Sequence, residues 1–130
     1  MYATSNVRSA HSAYRENAVA TASPARLLVM LVERLVLDGE RGLAAQKTGD
    51  WAAAHQHLLH AQDVVAELES SLDVDKMTGG RQLAAIYQYL RETLVQANIR
   101  RSTESTEQAL VLSRQLCDTW REAAMAAAIQ

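Results

Sequence analysis

The chain predicts an all-α fold, an antiparallel up-down-up-down four-helix bundle with a short N-terminal arm or helix. Three observations carry that expectation. Apolar residues recur at three- and four-residue spacing through four stretches of about 20 residues each. The breaks between those stretches are short, at Thr48-Gly49-Asp50, at Asp73 to Gly80 and around Ser102. Ala, Leu, Glu, Gln and Arg are abundant beside a single proline, and no strand-like alternation occurs. Helices joined by such short connections must pack as antiparallel neighbours.

Residues 1–20 read as a mobile arm ahead of a bundle domain over 21–130. Met1 to Ser12 are small, polar and weakly patterned. Ala13 to Ala20 suits either a short helix or an extended arm anchored by Tyr14 and Val19, a removable cover for the apolar surface that follows. Thr21-Ala22-Ser23-Pro24 then starts the first long helix: Ser23 can cap, and Pro24 loses nothing at the first helical position. From Leu28 to Val36 the apolar residues cover an arc of roughly 160°, where about 100° serves a helix on the edge of a domain. Met30 and Leu37 add a second strip. The helix is expected to reach Lys47, where Gly49 suits a left-handed terminus and Asp50 an N-cap.

The second helix runs from Trp51 to about Leu72, with Trp51, Ala54, Leu58, Ala61, Val65, Leu68 and Leu72 on its core face. Leu59 and Ala66, with Gln62 between them, mark a thinner stripe. After the loop at Gly79-Gly80, the third helix spans about Arg81 to Arg100. Leu83, Ile86, Tyr87, Leu90, Leu94 and Ala97 form its main face, and Ala84, Val95 and Ile99 a second strip. Ser102 is the leading cap of the last helix, although Ser105 with Gln108 also fits a capping box. Ala109, Leu112, Leu116, Trp120 and Ala123 give that helix its stripe, and the tail from Ala124 has no stop signal and is expected to fray.

Composition narrows the function. The 130 residues are 48% hydrophobic and 22% charged, enough for one domain with a real core. A net charge of −2 does not suit a nucleic-acid binder, and Arg100-Arg101 reads as complementing a helix C-terminus. The lone Cys117 excludes an internal disulfide, fits a reducing cytoplasm, and reads as a small packed residue. Nothing resembles a signal peptide or membrane span. His55, His57 and His60 spread around their helix, and Glu-x-x-His pairs are lacking, so a solvated polar face is expected rather than a metal site. Phosphotransfer through His60 is a rival reading, weakened by nearby Asp63, which would repel phosphate. Gly79-Gly80 lacks the Lys-Ser or Lys-Thr of a phosphate loop. No catalytic set emerges. The second strips remain, either as scattered surface residues or as surfaces for helix-in-groove recognition.

The order of motifs resembles the flagellar secretion chaperone family, FliS. The resemblance rests on Ala13-Tyr14, Asn17, Val19, Thr21-Ala22-Ser23-Pro24, Leu27, Met30 and Leu31, then Gly49-Asp50, Ala61-Gln62-Asp63-Val64-Val65, Glu67-Leu68 and Ser70-Ser71-Leu72-Asp73. It continues through Gly79-Gly80, Leu83, Tyr87, Tyr89-Leu90, Leu94 and Ala97-Asn98-Ile99 to Trp120. Two departures are visible: Val32-Glu33 replaces the family's Tyr-Asp, and Ser102-Thr103 its Asp-Pro.

The resemblance implies a cytoplasmic, cofactor-free, non-enzymatic bundle. It would bind the disordered C-terminal segment of flagellin, prevent early polymerisation and aid delivery to the flagellar export gate. Leu27, Met30, Leu59, Ala66, Val95 and Ile99 are then the expected apolar contacts. Tyr14 and Asn17 would belong to the shielding arm. Gln62 and Asn98 would bond the guest backbone, or else pair within the bundle. The rival occupant of the second faces is another copy of the chain, in a homodimer.

Overall fold

The structure, a computed structural model, describes residues 24–129. Four helices follow in order: α1 (Pro24–Lys47), α2 (Trp51–Ser71), α3 (Gly80–Ile99) and α4 (Thr103–Ile129). The arm expected over 1–20, with Tyr14 and Asn17, and the start signal Thr21-Ala22-Ser23 lie outside the described residues.

Each helix packs on its two chain or ring neighbours, α1 on α2, α2 on α3, α3 on α4 and α4 back on α1. Ion pairs show the direction of the α1/α4 seam. Glu33, Glu40 and Lys47 meet Arg121, Arg114 and Glu107 at 3.6, 3.5 and 3.9 Å, so a step of seven up one helix matches a step of seven down the other. These pairs are half in water and set register more than stability.

Local chemistry explains the helix ends. The Asp50 carboxylate accepts from the Ala53 N–H at 3.2 Å and caps α2. Ser102 accepts from the Ser105 N–H at 3.1 Å, which makes it, rather than Ser105, the cap of α4. Gly49 takes the left-handed conformation expected of it, with φ 76°. The last helix does not stop at Ala124 but continues to Ile129, because its alanines carry high helix propensity even where exposed.

Tyr87, Leu58, Leu68, Leu90, Leu94, Leu35 and Val65 are fully enclosed at the centre, each large side chain contributing about 1.5–3 kcal/mol of burial. Several core assignments shift. Ile86, expected on the main face of α3, is 36% exposed, and Ala123 is exposed. On α4 the buried face turns toward Thr106, Leu110, Ser113 and Cys117, leaving Leu112 and Trp120 at its margin. Hydropathy hides that turn because two of the residues are polar. Their hydroxyls have partners: Ser113 donates to the Ala109 carbonyl of its own helix at 2.7 Å, and Thr106 to Gln46 of α1 at 2.7 Å, with the Ser102 carbonyl 3.1 Å away.

The second half of α1 changes in the same way. Asp38, Gly39, Gly42 and Gln46 are buried, continuing the face begun by Val32 and Leu35. A Cβ on Gly39 would stand 2.9 Å from Leu110, and one on Gly42 3.0 Å from Leu58. The two glycines thus let α4 and α2 close in on α1. Gln46 donates to the Ala97 carbonyl at 3.2 Å and accepts from Thr106 at 2.7 Å, linking α1 to α3 and α4.

Candidate functional site

The α2/α3 seam is marked out by two polar contacts. At one end the Asn98 amide donates to Nδ1 of His55 at 2.9 Å. At the other, Arg91 grips Glu69 through Nε at 2.6 Å and Nη2 at 3.5 Å. That ion pair holds the Arg91 guanidinium above its ordinary pKa, first through the hydrogen bond and then through the charge of Glu69. From His55, steps of four, three, four and three residues reach Leu59, Gln62, Ala66 and Glu69. The stripe is one face of α2 along its border with α3. Arg91, Val95 and Asn98 repeat the spacing on α3.

The seam therefore gathers Leu59, Gln62, Ala66, Val95 and Asn98, with Ile99 just outside. Leu59 is 41% and Ile99 72% exposed; Ala66 is open to solvent, and Gln62 and Val95 are half-buried. Asn98 is paired with His55, whereas Gln62 has no side-chain hydrogen bond among the described residues. This surface carries exposed and half-buried apolar side chains between polar ends, with the Gln62 amide midway along it.

Leu27 and Met30 fall elsewhere. Both are on α1, whose main neighbours are α2 and α4. Leu27 is half-buried, and Met30, 37% exposed, points away from the buried face of α1. Leu37, expected beside Met30, is half-buried and faces a recess shared with Glu40, Arg114 and Cys117. The expected residues thus divide between two surfaces.

The histidine region is not simply a solvated face. Asp38 is fully buried, and its Oδ2 pairs with Nδ1 of His60 across the α1/α2 seam. Arg34 Nε lies 3.2 Å from Oδ1, within ion-pair range but off the hydrogen-bonding line. His60 is thus a tie between helices, with one ring nitrogen committed. His55 is likewise committed to Asn98. Among the described residues, no three His, Cys, Asp or Glu side chains converge as metal ligands.

Cys117 is buried, and burial pushes its thiol up, an effect that Arg121 only partly offsets. Burial also raises the Tyr87 phenol. The nearby Trp120 indole N–H acts the other way, although it makes no full hydrogen bond. Both arrangements suit packing rather than reaction. No helix among the described residues is long and apolar enough to cross a membrane.

Sequence reasoning missed Arg101. Its backbone is left-handed, φ 51°, the only non-glycine residue among those described with positive φ. Its guanidinium carbon sits 4.9 Å from the centre of the Trp51 ring. The doublet was expected to complement a helix C-terminus, and Arg100 does end α3, but Arg101 turns across to α2. The available signal was the absence of a glycine or asparagine after α3, where such a helix usually has one.

The family model described as "Flagellar protein FliS" matches residues 7–127. The chain is 28% identical over 134 residues to the flagellar secretion chaperone FliS of Salmonella typhimurium, covering 100% of this chain and 98% of that protein. It is 26% identical over 117 residues to the protein of the same name from Bacillus subtilis, covering 90% and 87%. For the Escherichia coli protein of that name the figures are 28% over 126 residues, covering 94% and 91%. A four-helix bundle with apolar side chains left over on its outer seams, matched over nearly its whole length, belongs to the FliS family of flagellar secretion chaperones.

Proposed function

We propose that the chain is a cytoplasmic chaperone for flagellin, binding its disordered C-terminal segment along the α2/α3 seam and continuing over α1. The observation that carries this reading is the gathering of Leu59, Gln62, Ala66, Val95 and Asn98 on one seam, next to the exposed Ile99. A disordered segment loses conformational entropy when it orders, and must recover it over a long apolar contact. A strip along two helices offers that length better than a compact pocket. The Gln62 amide, without a side-chain hydrogen bond among the described residues, suits a guest backbone group where the guest helix breaks. Tyr14 and Asn17 are assigned to an arm that covers the seam until the client arrives. Covering the segment would keep flagellin from polymerising and let the pair travel to the export gate. No cofactor or catalytic residue is needed.

Mixing the purified protein with a peptide of the flagellin C-terminal segment should give a one-to-one complex and a gain in far-UV helicity. Absence of binding at micromolar concentrations would defeat the proposal.

A further inference from the structure

We propose that the recess at the C-terminal end of α3 is a carboxylate seat, in which Arg101 receives an acidic side chain of the segment bound in the α2/α3 seam. The identity of that segment rests on the proposed function; the seat itself rests on the geometry.

Two helices end at this pole of the bundle with the same backbone motif. In α1, the Gly49 N–H reaches the Gln46 carbonyl at 3.1 Å and the Asp50 N–H the Ala45 carbonyl at 2.9 Å. In α3, the Arg101 N–H reaches the Asn98 carbonyl at 3.4 Å and the Ser102 N–H the Ala97 carbonyl at 3.0 Å. Both motifs need a left-handed residue at one position, and φ is 76° at Gly49 and 51° at Arg101. Glycine meets that demand without strain, whereas arginine does not. A strained residue is a reason to look for a function in its side chain.

That side chain is held ready. The guanidinium lies over the Trp51 ring, an attraction that favours this placement and leaves N–H donors for a ligand. Arg101 forms no ion pair among the described residues. Of the acids near it in sequence or at this pole, Asp50 caps α2 and Glu107 meets Lys47, and Glu104 forms no ion pair with Arg101 among the described residues. Beside Arg101 is a recess of about 250 Å³ lined by Gln46, Trp51, Ala54, His55, Asn98 and Ile99. That volume suits one side chain. His55 and Asn98 also close the end of the α2/α3 seam, so a segment lying in the seam runs directly to the recess. A guanidinium in such a place, with no ion pair among the described residues, selects a carboxylate.

Arg101→Gly tests the seat without endangering the fold, because glycine suits the backbone there. With the flagellin C-terminal peptide, this variant should bind about three- to tenfold more weakly than the unaltered protein and with a shallower salt dependence. The difference should vanish for a peptide whose Asp and Glu residues are replaced by Asn and Gln. Equal affinity and equal salt dependence would overturn the seat while leaving the client reading intact. If the unaltered protein binds no peptide, the client reading falls, and the seat is decided with N-acetyl-glutamate. Titrating that probe should move the Trp51 indole N–H resonance, but not that of Trp120, and Arg101→Gly should abolish the movement. A Trp51 signal that stays still in that titration would then overturn the seat as well.

Discussion

Asp38 shows how a single polar side chain can be held in a bundle interior. Its carboxylate has no contact with water, while its two partners, Arg34 and His60, are each about half exposed. The costs of removing the members are therefore unequal. Asp38→Asn takes the charge out of the interior and leaves Arg34 and His60 free to hydrate, for a loss of about 1 kcal/mol. His60→Ala strips the buried carboxylate of its hydrogen bond and leaves only the poorly aligned Arg34, for a loss of about 2–3 kcal/mol. Urea denaturation of the two variants should rank them in that order. Equal losses, or a greater loss for Asp38→Asn, would show that His60 does not hold the carboxylate in place.

At the scale of the element, the turn into α3 depends on Gly80. A Cβ there would meet the Val74 carbonyl oxygen at 2.5 Å, and a backbone atom cannot swing aside as a leucine methyl can. Gly80→Ala should therefore cost about 2 kcal/mol despite alanine's better helix propensity, seen as a lower urea midpoint with an unchanged slope. A variant as stable as the parent would mean that the 72–79 loop is free to retreat. The helices themselves were legible in the sequence because caps and apolar spacing agree at nearly every boundary. The face of each helix was less so. On α1 the three-and-four spacing runs on from Val32 and Leu35 through Gly39, Gly42 and Gln46, but the residues stop being apolar, so a hydropathy reading loses the stripe. On α4 it drifts toward Leu112 for the same reason, since Thr106 and Ser113 bury hydroxyls that find partners, Gln46 of α1 for Thr106 and the Ala109 carbonyl for Ser113. Of the candidate site, Leu59, Ala66, Val95 and Ile99 could be named from periodicity alone. That α2 and α3 would bring them together depends on helix order around the bundle, and the Arg101 stack on a backbone angle that residue type argues against.

For the whole molecule, the arrangement of the two surfaces decides how a client could be held. The α2/α3 seam and the outer face of α1 are not adjacent: α1 touches α2 and α4, and Met30 points away from the shared core. A segment in contact with both must bend around the bundle, and one confined to the seam would never reach Met30. Glutamate substitutions separate these cases. Leu59 and Met30 are 41% and 37% exposed, so Leu59→Glu and Met30→Glu should each cost less than about 1 kcal/mol of folding stability. If the segment wraps, each should weaken peptide binding by about tenfold, and the double variant by about the product, because distant sites without shared partners act additively. Titrations of the three variants, with thermal denaturation as the control for folding, give the answer. Loss from Leu59→Glu alone would confine the client to α2 and α3 and remove Leu27 and Met30 from its contacts. Unfolding by Met30→Glu would mean instead that this side chain faces the interior.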